Sequence, residues 1–190
     1  FNRYFSAIQE APRRDAHYMM GLASFHCGVY SDAISYLNKV TPEADDLLTQ
    51  NAYLHLGLAY LQTEDKNKAR MAFEQASAMN HDVAIKEQAA YNHALCIHET
   101  SYSAFGESVL VFERFLNEFP SSAYVDKISN YLVEVYLNTR SYDAALQSID
   151  RITHPTRTVL EAKQKILFQL GTQQFTNAQF EQAASYFNQC

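Results

Sequence analysis

Apolar and small residues recur along the chain at the spacing of an α-helix, in segments that come in pairs. In the stretch NAYLHLGLAYLQTEDKNKARMAFEQA, Tyr53 and Gly57 fall on one helical face, and Ala69 and Phe73 fall on another face after a polar break. Spacings of three and four residues predict amphipathic helices, and the intervening TEDKN predicts the turn between them. This stretch therefore predicts a helix–turn–helix unit.

The same unit recurs along the whole chain. Each copy has one small anchor residue in its second helix, and successive anchors stand 36, 39, 37 and 38 residues apart: Ala33, Ala69, Ser108, Ala145 and Ala183. A second segment with helical periodicity precedes each anchor. The period predicts an all-α fold of five stacked repeats, at about 13–42, 43–80, 81–120, 121–154 and 155–190.

Glycine stands inside the first helix of three repeats. Gly21, Gly57 and Gly171 each lie twelve residues before the anchor of their repeat. Glycine inside a helix costs about 1 kcal/mol relative to alanine, so its recurrence needs a structural reason. We expect the second helix to approach closely at these positions, because glycine leaves no side chain in the way.

Prolines fall between the predicted repeats. Pro42, Pro120 and Pro155 occupy these junctions, where proline can open a helix without breaking one. No linker rich in Gly and Ser interrupts the chain, which predicts one continuous solenoid over residues 1–190. Both ends of the chain carry helical patterns, so we expect a fragment of a longer protein, with 1–10 as the tail of a preceding helix.

The second repeat resembles the tetratricopeptide repeat (TPR), in which two helices carry fixed aromatic and small positions. The matching residues are Tyr53, Leu56, Gly57, Tyr60, Ala69, Phe73 and Ala76. The third and fourth repeats depart from the pattern, with Leu95 and Val133 at the glycine position, and the third has one extra residue between its helices. The resemblance implies a right-handed α-α superhelix that binds other proteins. The family period is about 34 residues, so we expect longer helices or loops here.

Composition argues against several classes of protein. The net charge of −6 and scattered Lys and Arg residues do not form the clustered basic face of a nucleic-acid-binding protein. No run of 18 apolar residues is present, so the sequence predicts no membrane span. Cys27, Cys96 and Cys190 form neither a disulfide framework nor a zinc-binding spacing.

The sequence contains no convincing catalytic or metal-binding set. His93 and Cys96 share a helical face, but two ligands are too few for a metal site. The paired carboxylates at 45–46 and 64–65 lie at predicted helix ends and loops, where solvated charge is the ordinary role. Motifs for a nucleophilic serine or for a phosphate-binding loop are absent. The sequence therefore predicts a protein that is not an enzyme and has no cofactor.

The first helices of the repeats should also line a concave groove. Residues one turn away from the packing positions are the candidates for peptide binding: Tyr18, Leu22, Phe25, His26, Asn51, Leu54, His55, Leu58, Gln62, Asn92, His93, Asn130, Glu134, Asn138, Phe168 and Phe175. Aromatic, aliphatic and amide side chains dominate this set, and cations are few. TPR domains that hold an acidic C-terminus use Lys, Arg and Asn, so the set favours a segment with apolar anchors instead.

The stretch FERFLNEFPSSAYVDKISNYLVEVY (112–136) is similar to TPR proteins of the bacterial cell envelope, such as the lipoprotein of the barrel-assembly complex and the Tol-Pal coordinator. This similarity implies a scaffold in an envelope assembly, with a periplasmic or outer-membrane-associated location favoured and a cytoplasmic one open. The alternatives are a regulatory or sensor segment of a larger enzyme or signalling protein, and the helical arm of a lytic enzyme. Uncapped terminal repeats also allow a homodimer.

Overall fold

The computed structural model of the chain describes residues 13–42, 44–100, 104–139 and 141–190, with the backbone alone at 104 and 105. The described residues form ten α-helices and one π-helical turn. These are α1 (Arg14–His26), α2 (Tyr30–Leu37), α3 (Leu47–Gln62), α4 (Lys66–Ala78), α5 (Val83–Thr100), the π-turn (Ala104–Ser108), α6 (Val109–Glu118), α7 (Val125–Asn138), α8 (Tyr142–Ile149), α9 (Arg157–Thr176) and α10 (Phe180–Phe187). The tail predicted at 1–10 lies outside the described residues.

The helices form two compact units, Phe1–Thr100 and Ser101–Cys190. In unit 1, α1 packs against α2 and α3, and α3 packs against α4 and α5. In unit 2, α6 packs against α7, which also contacts α8 and α9, and α9 packs against α10. The first and second helices therefore pair in the first, second, fourth and fifth repeats, and the predicted all-α repeat fold is confirmed. The single continuous solenoid stays a prediction.

Side chains of aspartate and threonine start several helices. The Asp46 carboxylate accepts a hydrogen bond from the Thr49 backbone N–H at 2.9 Å, and Asp82 accepts one from the Ile85 N–H at 3.0 Å. These side chains satisfy N–H groups that have no partner inside the first turn. The first helices α3 and α5 therefore each begin at an aspartate cap.

Unit 1 contains two core clusters between successive helices. One contains Leu37 and Val40 from the end of α2 with Ala52 and Leu56 of α3. The other contains Phe73 and other residues of α4 with small residues of α5: Ala69, Ala76, Ala89 and Cys96. Each second helix is thus covered by the first helix of the next repeat.

The three helical glycines lie where the second helix of their repeat comes closest. A Cβ at Gly57 would lie 2.4 Å from Cε1 of Phe73, and one at Gly21 would lie 2.6 Å from Cγ of Leu37. At Gly171 the corresponding distance to Cε1 of Phe187 is 2.6 Å. The expected close approach is confirmed.

The first helix of three repeats carries a polar side chain that bonds the end of the second helix. Arg14 donates to the Val40 carbonyl at 3.1 Å, and Gln50 and Gln164 donate to Ala76 and Cys190 at 3.3 and 3.2 Å. In every case the acceptor lies 26 residues after the donor. We call Arg14, Gln50 and Gln164 the junction residues; the pattern of apolar positions had not revealed them.

In unit 1 the junction residues also reach the next repeat. Arg14 binds both carboxylate oxygens of Asp46 at 2.6 and 2.7 Å, and this contact, with the Thr49 N–H, holds the pKa of Asp46 well below its usual range. The fully buried Gln50 amide donates to the carbonyls of Met79 and Asp82 and accepts from the Asp82 N–H at 2.8 Å. The contacts with Asp46 and Asp82 join one repeat to the cap of the following first helix.

Unit 2 uses a different polar contact. The buried Glu113 of α6 accepts two hydrogen bonds from Arg151, both at 2.9 Å, and one from the Ser148 hydroxyl. Ser148 also contacts the Tyr136 hydroxyl at 2.5 Å, and burial raises the pKa of that tyrosine above its ordinary value. This network ties α6 to α7 and to the end of α8.

The third repeat departs from regular helix at its extra residue. The π-turn precedes α6, and π-helical turns use hydrogen bonds one residue longer than those of an α-helix. The buried Ser108 ends this turn at the small-anchor position. We infer that the turn absorbs the additional residue while the anchor stays buried.

Candidate functional site

The first helices of unit 1 lie side by side, α1 next to α3 and α3 next to α5. Several of their aromatic and polar residues stand outside both core clusters. We call this set the first-helix face of unit 1: Phe25, His26, Asn51, His55, Gln62, Asn92 and His93. His26 and Gln62 are exposed, and the other five are half-buried.

Phe25 is the centre of an aromatic cluster that links α1 to α3. Its ring lies 5.7 Å from the rings of His55, His26 and Tyr30, in an edge-on arrangement with each. Edge-to-face packing of this kind adds stability beyond simple burial. The cluster therefore gives the first-helix face a fixed apolar centre.

Burial favours the neutral imidazole form of His55, because it lowers the pKa of this side chain. Its Nδ1 lies 2.9 Å from the Asn51 carbonyl, an acceptor, so Nδ1 carries the proton and Nε2 is left as an acceptor. Burial lowers the pKa of His55, the Asn51 hydrogen bond opposes this shift, and the charge of His26 adds to it. A neutral ring beside Phe25 offers one hydrogen-bond acceptor in an otherwise apolar patch.

Amide groups continue the face onto α5. Asn92 donates its Nδ2 to the Gln88 carbonyl at 2.8 Å, which leaves the Asn92 side-chain oxygen as an acceptor. At the far end of α3, Gln62 is exposed. The face thus combines an aromatic centre with amides on both sides.

Other groove candidates of unit 1 lie partly or wholly in the core. Leu54 is 4% exposed and belongs to the cluster that contains Phe73. Tyr18 and Leu58 are partly buried against the two clusters, and Leu22 is half-buried. For Leu54 the expected surface position is corrected: α5 packs over it, because that position faces the next repeat.

The groove candidates of unit 2 differ in character between its two long helices. Asn130, Glu134 and Asn138 form an exposed stripe along α7. Phe168 and Phe175 on α9 are 60% and 59% exposed. Unit 2 therefore presents a polar stripe on one helix and large aromatic surfaces on the next.

A further concave feature of unit 1 is lined by residues of α3 and α4 and by Asn38, which follows α2. This cavity has a volume of about 450 Å³, and its lining includes Tyr53, Tyr60, Lys68 and Met71. The Lys68 ammonium lies 5.6 Å from the centre of the Tyr60 ring. None of the groove candidates lines this cavity.

The structure provides little chemistry for catalysis at the candidate positions. Burial raises the pKa of the Cys96 thiol to about 11, so it is protonated at neutral pH and a poor nucleophile or metal ligand. Within the described ranges, no three His, Cys, Asp or Glu side chains converge as metal ligands. None of the described helices is long and apolar enough to cross a membrane.

Comparison with known family models gives one match. Residues 50–82 match the model of the tetratricopeptide repeat. No curated protein sequence matches the chain.

Solved structures with a similar fold include two called MamA. The structure of MamA from AMB-1 has a TM-score of 0.52 and 19% sequence identity, covering 93% of this chain and 88% of its own. MamA from MSR-1 has a TM-score of 0.49 and 18% identity, with 93% of both chains covered. The likeness to the AMB-1 structure shows a common fold.

Proposed function

We propose that the chain is a non-catalytic protein-interaction scaffold and that the first-helix face of unit 1 binds a segment of a partner protein. The observation that carries this proposal is the cluster of Phe25 and neutral His55, flanked by amides, on neighbouring first helices. An apolar centre with a few fixed polar groups is the usual composition of a peptide-binding surface.

The chemistry of the face favours a segment with apolar anchors over one held by its carboxylates. Helix α3 contains no Lys or Arg. The Arg14 guanidinium at the start of α1 is bound to Asp46, and Lys86 of α5 donates to the Asn80 side chain at 2.8 Å. A carboxylate would therefore meet acceptors and aromatic edges on this face instead of free cations. We infer an apolar anchor over Phe25 and a neighbouring donor for Nε2 of His55.

The polar stripe Asn130, Glu134 and Asn138 is proposed as a contact surface of unit 2. Its exposed amides can bond an extended backbone, which has both donors and acceptors. The three residues of the stripe are all polar, so they offer no apolar surface to an anchor residue of the partner. We therefore expect weaker binding at this surface than at the first-helix face of unit 1.

An envelope assembly is the proposed setting. Support comes from the likeness of 112–136 to envelope TPR proteins, which centres on the turn between α6 and α7. In that turn Phe119 packs on Phe115 with ring centres 5.2 Å apart, and Ser122 donates its N–H to the Phe119 carbonyl. Fractionation of cells that make the natural full-length protein tests this setting, and recovery with cytoplasmic proteins contradicts it.

The binding proposal is tested with random peptides displayed on phage and selected on the 190-residue chain. We expect selected peptides to carry Leu, Phe or Tyr anchors and to lose at least about tenfold in affinity with Phe25→Ala or His55→Ala, as for central interface residues. Met71→Ala is the matched control, because this residue is 64% exposed on α4, a second helix. Peptide affinity that is unchanged by Phe25→Ala and His55→Ala, or that is lost with Met71→Ala, contradicts the proposed binding site.

A further inference from the structure

Two side chains of α3 present hydrogen-bond acceptors on the first-helix face of unit 1. The Asn51 amide donates from Nδ2 to the Leu47 carbonyl at 3.4 Å, and the Nδ1 proton of His55 goes to the Asn51 carbonyl at 2.9 Å. The Asn51 side-chain oxygen and Nε2 of His55 are acceptors, and the described residues donate to neither of them. Both acceptors are therefore available to a partner.

Helix α1 adds a carboxylate to this face. Counted from Gly21 and Gly57, Asp15 of α1 has the place of Asn51 in α3, six residues before the glycine. The Asp15 side chain is 68% exposed, and it pairs at 3.7 Å with Arg13, whose side chain is 86% exposed. An ion pair as exposed as this one contributes little free energy. The Asp15 carboxylate can therefore attract a cation of the partner.

The two helices supply no free cation that would compete for these acceptors. Helix α3 contains no Lys or Arg, and Arg14 is the one such residue of α1. Its guanidinium is bound to both carboxylate oxygens of Asp46, at 2.6 and 2.7 Å. Because this contact joins the starts of α1 and α3, Asp15 and Asn51 lie toward the same end of the face. That end combines a carboxylate with neutral acceptors, so it favours a cationic partner group.

Arginine is the side chain whose chemistry fits these groups best. A guanidinium has five N–H donors in one plane and no acceptor, and it keeps its charge. Asn51 and His55 are four residues apart on one helix, so their Cβ atoms are about 5–6 Å apart and one guanidinium can reach both. Phe25, whose ring lies 5.7 Å from that of His55, provides an aromatic surface beside them. A guanidinium also packs well on aromatic rings.

We propose that the partner segment carries an arginine next to its apolar anchor, and that this arginine donates to Oδ1 of Asn51 and Nε2 of His55 with Asp15 nearby. The inference rests on the function proposed for the first-helix face, and it names the residue type that gives this face its specificity. In an extended segment, side chains on one side stand two positions apart. The arginine therefore lies two positions before or after the residue that packs on Phe25.

The test uses three peptide libraries displayed on phage and selected on the 190-residue chain. Every peptide has a central leucine, and the residues two positions before and after it are both arginine, both glutamine or both glutamate; all other positions are random and uncharged. Selection at about pH 8 keeps histidine side chains neutral. We expect at least about tenfold higher enrichment of the arginine library, because a hydrogen bond to a charged group changes affinity by about that factor or more.

The tightest arginine peptide is then labelled with fluorescein and measured by fluorescence anisotropy. Asn51→Lys should lower its affinity at least about tenfold, and Asn51→Asp should raise it at least about threefold, because a carboxylate is a stronger acceptor than an amide. Citrulline in place of the arginines, which keeps their length and removes their charge, should also cost at least about tenfold.

Asn67→Lys and Asn67→Asp are the matched controls. Asn67 is exposed on α4, a second helix, so the same changes of charge there should leave the affinity unchanged. Circular dichroism checks that each variant keeps its helix content.

The possible outcomes separate this inference from the proposed function. Equal enrichment of the glutamine or glutamate library overturns the arginine inference, and so does an affinity that Asn51→Lys leaves unchanged or that Asn67→Lys lowers as much. Peptides that still depend on Phe25 would then leave the proposed function in place. If no library is enriched over phage without a peptide, the proposed function fails and the arginine inference fails with it.

Discussion

Each helical glycine of this chain makes room for one particular side chain. Leu37, Phe73 and Phe187 all lie sixteen residues after their glycine, and each reaches within 2.4–2.6 Å of where a Cβ would stand. The surroundings differ, because Phe73 is fully buried whereas Phe187 is partly exposed. A buried ring in a close-packed core cannot move aside, but a ring at the surface can.

We predict opposite outcomes for the same substitution at two of these glycines. Gly57→Ala should lower the free energy of unfolding by up to about 2 kcal/mol, since overpacking against Phe73 costs about 1–3 kcal/mol and helix propensity returns about 1 kcal/mol. Gly171→Ala should be neutral or stabilising by up to about 1 kcal/mol, because Phe187 can shift. Urea unfolding followed by circular dichroism measures both values, and equal effects would contradict the argument.

The helices are joined by polar contacts whose positions follow the repeat. Arg14 and Gln50 each bond the end of their own second helix and an aspartate 32 residues ahead. A hydrogen-bonding side chain at this position satisfies backbone groups that the turn between repeats leaves without a helical partner. The amide of Gln50 is fully buried, so these bonds are formed away from water.

At the element scale we predict that Gln50→Leu weakens the joint between α4 and α5. The substitution keeps the volume but leaves three carbonyls and one N–H without the amide, which should cost about 2–4 kcal/mol of unfolding free energy. Gln164→Leu is the matched control, because the exposed Gln164 side chain makes one bond, at 3.2 Å, to the described residues, and a change within about 0.5 kcal/mol is expected. Urea unfolding measures both variants. A similar loss of unfolding free energy for both would show that the buried hydrogen bonds of Gln50 are not the cause of the destabilisation.

At the scale of the whole molecule, each of the two units has core or polar contacts of its own among the described residues. The two core clusters join α2 to α5, with Tyr18 of α1 packed against one of them, and the Glu113 network joins α6 to α8. A chain segment with its own core and its own polar contacts can fold independently. Whether the two units unfold separately or together therefore tests the prediction of a single continuous solenoid.

We predict that residues 13–100 and 104–190, produced separately, each fold with helical circular dichroism spectra that sum to that of the intact chain. Each fragment should unfold cooperatively in urea, because its core is internal to it. The intact chain then distinguishes the two organisations: a single transition at a higher midpoint than either fragment supports one solenoid, and two transitions at the fragment midpoints contradict it. A fragment without a cooperative transition would refute the independence of the units.

The sequence alone was sufficient for the repeating α-helices, for their pairing in the first, second, fourth and fifth repeats, and for the glycine contacts. These features depend on local periodicity and on the sizes of side chains at fixed spacings, which any one repeat displays. The junction residues were missed, because a single Arg or Gln in a helix has the same appearance whether it is solvated or bonded to a backbone 26 residues away. The available signal was that each junction residue lies at the same distance before the glycine of its repeat.

The tertiary structure alone decided which apolar positions are surface. Leu54 and Phe168 have the same place in the repeat and the same helical face, and periodicity treats them alike. Leu54 is buried because α5 packs over it, while Phe168 is exposed at the last repeat. Burial at this position depends on the presence of a neighbouring helix, a contact between repeats that the pattern within one repeat does not encode.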